Sequence, residues 1–133
     1  MCIHKIIKHK YNLLGDLMIK NYIKSYGLYF IILFCYLIII SLFYYFNIIS
    51  YKNMNIINYI FHLLLFFILG FRISKLEKKK GYLNGFLISS LLIIFYSIIC
   101  LALSKFSISS LVYYLSLIIS SMIAGIIGVS KTN

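Results

Sequence analysis

The chain contains no proline, no tryptophan and only two acidic residues, Asp16 and Glu77, in 133. The missing Pro and Trp, beside heavy use of Ile, Lys, Asn, Tyr and Phe, follow from the codon bias of an AT-rich genome and carry no functional message. The shortage of acids is more informative. No Asp, Glu, Lys or Arg falls within the long apolar runs, which removes the intramembrane carboxylates and cations on which most ion-coupled transporters and proton relays depend. The three cysteines, Cys2, Cys35 and Cys100, form no close pair and no metal-ligand spacing. They read as isolated, reduced, small apolar residues. Cys2 follows Met1 with no apolar lipoprotein signal before it, which leaves acylation there a minor alternative. Catalytic constellations are also missing: no nucleophile elbow, no phosphate-binding glycine loop, no zinc-protease helix motif and no intramembrane Asp pair. The expectation is a protein that is not an enzyme and that uses no metal and no cofactor.

What is present is apolar. Hydrophobic residues make up 63% of the chain and charged residues 11%, well outside the soluble range. Four uncharged intervals, Ser25 to Tyr51, Asn53 to Phe71, Gly81 to Ser104 and Phe106 to Ser130, contain 27, 19, 24 and 25 residues. Each supplies the roughly 20 residues that cross about 30 Å of hydrocarbon as a helix. A β-barrel would need alternating polar partners, whereas Ile31 to Ile40 is nearly continuous apolar sequence. The first interval is too long for a cleavable signal, and no small-x-small site follows Phe46. The expected fold is all-α: an integral membrane four-helix bundle with an N-terminal amphipathic interfacial helix. Residues 1–24 form the basic N-terminal segment and 25–133 the four-span domain, with spans at about 28–46, 54–71, 82–104 and 108–129.

Thirteen Lys and Arg give a net charge of +11. In a soluble chain this would suggest nucleic acid; here the cations border apolar runs, so anionic lipid headgroups are the expected partner and no nucleic acid is. Lys5, Lys8, Lys10, Lys20 and Lys24 precede the first span, Arg72, Lys75, Lys78, Lys79 and Lys80 lie between the second and third, and Lys131 follows the fourth. The two remaining turns have Lys52 and Lys105. This division puts both termini and the middle loop in the cytoplasm of a cell membrane protein. Tyr22, Tyr26 and Tyr29 at one edge of the first span, and Tyr44, Tyr45 and Tyr51 at the other, suit interfacial belts. Within residues 3–20, Ile3, Ile6, Ile7, Leu13, Leu14, Leu17 and Met18 share one helical arc, and His4, Lys5, Lys8, His9, Asn12, Asp16 and Lys20 the other. That pattern describes a helix lying on the inner leaflet, or else a frayed basic leader that only fixes topology.

Helices in a bilayer associate through close contact between small residues. The third span carries Gly81, Gly85 and Ser89 at four-residue steps, and the fourth Ser116, Ser120, Ala124 and Gly128. A short turn makes these spans antiparallel neighbours, so Gly81 and Gly85 are expected to approach Ala124 and Gly128; homodimerisation is the competing use of such faces. His62 is the one group in the spans that titrates near neutral pH, on a face with Asn55 and Asn58. It reads either as a metal, proton or substrate contact, or as a neutral imidazole bonded to Ser116 or Ser120. The site is therefore a packing site with an intramembrane polar contact at His62 and Asn58.

Gly70-Phe71-Arg72, the basic loop ending Lys80-Gly81-Tyr82-Leu83-Asn84-Gly85, and the terminal Ala124-Gly125-Ile126-Ile127-Gly128-Val129 resemble the YrzE-like family of small four-span membrane proteins from low-GC Gram-positive bacteria. The resemblance implies a four-helix membrane protein of unassigned activity and brings no catalytic or binding residues. The expected function is a non-enzymatic, multi-pass component that packs as a homo-oligomer or with a larger membrane protein partner. The alternative is a small channel, holin-like pore or transporter.

Overall fold

The computed structural model describes residues 2–103 and 107–131, without the side chains of Cys2, His4, Lys5 and Ile6. The Cys2 acylation site, Lys105 and the arc positions of His4, Lys5 and Ile6 therefore lie outside the described residues. The described chain forms four helices: α1 (Cys2–Tyr45), α2 (Tyr51–Glu77), α3 (Gly81–Ala102) and α4 (Ile108–Ser130). All four are long and apolar enough to cross a membrane. Their outward surfaces carry Ile31, Phe34, Leu37, Leu64, Leu91, Ile94, Val112 and Ile119, all exposed. Such a continuous apolar surface has no place in water and suits hydrocarbon. The fold is a helical bundle, and the chain a small multi-pass membrane protein.

Two helices run further than the apolar intervals suggest. α2 continues past Phe71 and holds Arg72 and Lys75 on its last turns. α1 is one helix of 44 residues, about 66 Å at 1.5 Å per residue. The helix runs without a break through the boundary expected near residue 24, so the amphipathic residues 3–20 and the first span share one helix. The reason is local: no proline or other break interrupts backbone hydrogen bonding between Lys20 and Gly27. Residues 7–20 are exposed apart from Gly15, and Asn21 is the first residue bonded to another helix, its Nδ2 donating to Glu77 Oε1 at 3.1 Å.

The turns are short. Asn47 closes the α1–α2 turn with φ 54°, a left-handed conformation that Asn tolerates. Between α2 and α3, Lys78 (φ 54°) and Lys80 (φ 45°) are left-handed, an uncommon choice for Lys. Bonds at both ends of the turn hold it: Lys78 N–H caps α2 on Ser74 O at 2.9 Å, and Asn84 Nδ2 donates to Lys79 O at 2.7 Å. α4 packs against both α2 and α3, which also pack on each other, while α1 lies mainly along α2. The buried centre is Leu65, Phe66, Leu69 and Ile73 of α2, Ile88 and Leu92 of α3, and Tyr114 and Leu117 of α4, with Tyr29 entering from α1.

Candidate functional site

Where α2, α3 and α4 meet at the end carrying the Lys78–Lys80 turn, the helices touch backbone to backbone. A methyl group added at Gly81 would overlap the carbonyl oxygen of Gly125, and one at Gly125 that of Gly81. At Gly85 and at Gly70 it would overlap the Ser121 carbonyl oxygen, and at Gly128 it would lie 2.6 Å from Phe71 O. Real carbon atoms do not approach oxygen so closely, so these positions admit only glycine unless a helix moves. Hydroxyls fasten the same contacts. Ser121 Oγ donates to Gly85 O at 2.9 Å across α4–α3, and Ser74 Oγ to Gly81 O at 3.0 Å across α2–α3. Ser89, fully buried, returns its hydroxyl to Gly85 O of its own helix at 2.7 Å.

The pairing is displaced by three residues from the expected one, which put Gly85 beside Ala124 and Gly81 beside Gly128. Gly81 and Gly85 meet Gly125 and Ser121, while Ser120 and Gly128 face α2: Ser120 Oγ donates to Leu63 O at 3.2 Å, and Gly128 sits against Phe71 and Ser74. Ala124 is completely buried between them. Ser116 lies nearer the opposite end, accepting from Tyr59 OH at 3.1 Å and donating to Tyr113 O at 2.7 Å. α4 thus has two adjacent small-residue stripes, because two helices flank it. Four packing residues were missed by reading only the longer stripe: Gly70, Ser74, Ser121 and Gly125. The signal was present as Gly70-x3-Ser74 and Ser121-x3-Gly125.

His62 does not bond to either serine. Its Nδ1 lies 2.9 Å from the Asn58 carbonyl of its own helix. A carbonyl only accepts, so Nδ1 is the nitrogen that donates its N–H to Asn58 O. The serines reach α2 through its neighbours Tyr59 and Leu63. Asn58 Oδ1 in turn accepts from Tyr36 OH of α1, whose ring stacks on Phe61 with centroids 3.6 Å apart. Asn55 is exposed and outside this group. Among the described residues, no group of three His, Cys, Asp or Glu side chains is placed to hold a metal ion.

The tyrosines at the start of the first span are not a lipid-facing belt. Tyr29 is 2% exposed; its hydroxyl pairs with Tyr96 OH at 2.9 Å and its ring packs edge-on against Phe66. Tyr26 OH donates to Ile88 O at 3.0 Å. Tyr22, Tyr29 and Tyr36 recur every seven residues, which keeps them on the face of α1 turned toward the bundle. Burial, and then the Glu77 carboxylate, raise the Tyr22 phenol above its ordinary pKa. Tyr44, Tyr45 and Tyr51 at the other end are exposed, as a belt requires. Cys100 is not isolated, its Sγ lying 3.2 Å from Tyr114 OH; Cys35 is free and exposed.

No curated protein and no solved structure matches this chain. The family described as "Protein of unknown function (DUF3792)" matches residues 18–128, so the match reaches all four helices and starts three residues before α1 meets α2 at Asn21. This glycine-sealed four-helix protein belongs to that family.

Proposed function

We propose that the chain is a non-enzymatic membrane component that packs with itself or with a larger membrane protein. The observation that carries this reading is where the polar side chains of the helix interiors go. Ser74, Ser89, Ser120 and Ser121 donate to backbone carbonyls, and Tyr26, Tyr29 and Tyr36 bond to other helices. Groups engaged in this way fix helix positions. Because the glycine and serine faces are closed within the chain, a partner meets the outer apolar surface. α1, which packs mainly along α2, offers the most of it.

In this reading both termini and the Lys78–Lys80 turn face the cytoplasm of a bacterial cell and its anionic leaflet. The support is the placement of eleven of the thirteen cations on that side. The glycine spacings of Gly70 to Val129 support the narrower likeness to the YrzE-like group of low-GC Gram-positive bacteria. The experiment is photo-crosslinking in native membranes from Leu37 on the outer face of α1, followed by mass spectrometry. A defined protein adduct, either a second copy or one recurring partner, is expected. A clean monomer under all conditions would count against the proposal, and growth arrest with membrane depolarisation on overexpression would replace it with a pore.

A further inference from the structure

The seam between α1 and α2 ends in an arginine whose guanidinium has no partner among the described residues. Arg72 is half-buried, and its guanidinium makes no hydrogen bond or ion pair with any described residue. Glu77, the acid nearest it in sequence, is engaged by Asn21. Beside Arg72, Ser25 of α1 is completely buried, and its hydroxyl is the one buried side-chain polar atom among the described residues with no partner. Both line a small cleft whose remaining walls are Leu28, Tyr29 and Ile32 of α1 and Leu65, Ile68 and Leu69 of α2.

The antiparallel arrangement sorts these groups by depth. Ser25 and Arg72 lie at the end of the Lys78–Lys80 turn, while Ile32 and Leu65 lie deeper. Lys24 precedes Leu28 by four residues, and Lys75 follows Ile68 by seven, so each shares a helix face with an apolar wall of the seam. Both lysines are exposed. One side of the seam is closed by α3, through Tyr26 to Ile88 and Tyr29 to Tyr96. The other side, lipped by the exposed Ile68, is open to lipid. The result is a groove with cations at its mouth and hydrocarbon along its length.

We infer that this seam binds one anionic phospholipid, with its phosphate on Arg72 between Lys24 and Lys75 and an acyl chain along Leu28, Ile32 and Ile68. A guanidinium forks onto phosphate oxygens, and a half-buried one lacking a counter-ion gains most from doing so. The enclosed part of the cleft is about 10 Å³, room for a single water. The chain therefore runs over the outside of the seam, and one water relays the Ser25 hydroxyl to the headgroup. This inference rests on the reading of that end as the face toward an anionic leaflet.

The test is native mass spectrometry of the full-length chain in detergent micelles, titrated with phosphatidylglycerol or with phosphatidylcholine of the same acyl chains. One phosphatidylglycerol per chain is expected, bound about tenfold or more tighter than phosphatidylcholine. Arg72→Gln should lose about tenfold, and Lys24→Gln or Lys75→Gln about fivefold each. Lys78→Gln with Lys79→Gln, which removes charge from the turn and not from the seam, should stay within about twofold. If Arg72→Gln fails to fold by circular dichroism, the Lys24→Gln/Lys75→Gln pair decides. Equal binding of the two lipids, an equal loss in the turn variant, or displacement by inorganic phosphate alone would each overturn the inference. Alkaline extraction separates the two levels: a chain stripped from membranes contradicts the membrane reading itself, whereas one that stays but shows no lipid preference contradicts the seam alone.

Discussion

Helix α4 approaches α2 and α3 backbone to backbone, whereas α1 is held to the bundle by side-chain hydrogen bonds, most of them from phenol hydroxyls, and by ring stacking. At Gly81 and Gly125 each main chain occupies the space where the other's side chain would be. At Gly15 and Gly27 of α1 nothing lies within 4 Å of an added methyl group. The contrast shows two ways of joining helices where lipid removes the hydrophobic drive. Close approach gains dispersion contact along the whole helix and tolerates no added volume. Hydroxyl bonding tolerates volume but depends on a few atoms.

The largest effect should come from forcing volume into the close contact. Gly85→Leu is expected to cost about 3 kcal/mol or more and to separate α3 from α4, since its side chain has only the Ser121 backbone to enter. Denaturant titration in mixed micelles measures this, and a variant as stable as the parent would show that the helices do not touch there. A smaller loss, about 1–2 kcal/mol, is expected for Tyr29→Phe, which leaves the Tyr96 hydroxyl unpaired. Adding Tyr96→Phe should recover part of it; a strictly additive pair of losses would break the claim that these hydroxyls hold α1. Ser121→Ala should cost least, about 0.6 kcal/mol, because the Gly85 carbonyl keeps the hydroxyl of Ser89. A loss larger than that of Tyr29→Phe would mean that the core, too, relies on its hydroxyls.

Helix number was legible because each span needs only a long uncharged run, and charge marks its ends. The length of α1 was not. Its first twenty residues have the amphipathic pattern of a surface helix, but whether a helix bends depends on backbone hydrogen bonding, on which the side-chain pattern is silent. Small residues at four-residue steps identified the faces of α3 and α4 but not their register. Ser120, Ala124 and Gly128 are as small as Ser121 and Gly125, and the choice between them is made by α2, which also competes for α4. The tyrosines misled for a related reason. A phenol at a membrane edge satisfies its hydroxyl equally well in the headgroups or on a neighbouring helix, and only the seven-residue spacing of Tyr22, Tyr29 and Tyr36 hinted at the second. His62 drew attention as a lone titratable group, yet its nearest acceptor is one turn away on its own helix.

The central claim, a glycine-sealed three-helix core with a looser α1, is tested most directly by replacing each glycine with alanine and measuring unfolding free energy. Alanine favours a helix by about 0.5–1 kcal/mol, so any loss reports packing. Gly70, Gly81, Gly85, Gly125 and Gly128 are each expected to lose about 1–2 kcal/mol, and Gly15 and Gly27 to lose nothing or gain slightly. Gly81→Ala and Gly85→Ala variants as stable as Gly27→Ala would contradict the account.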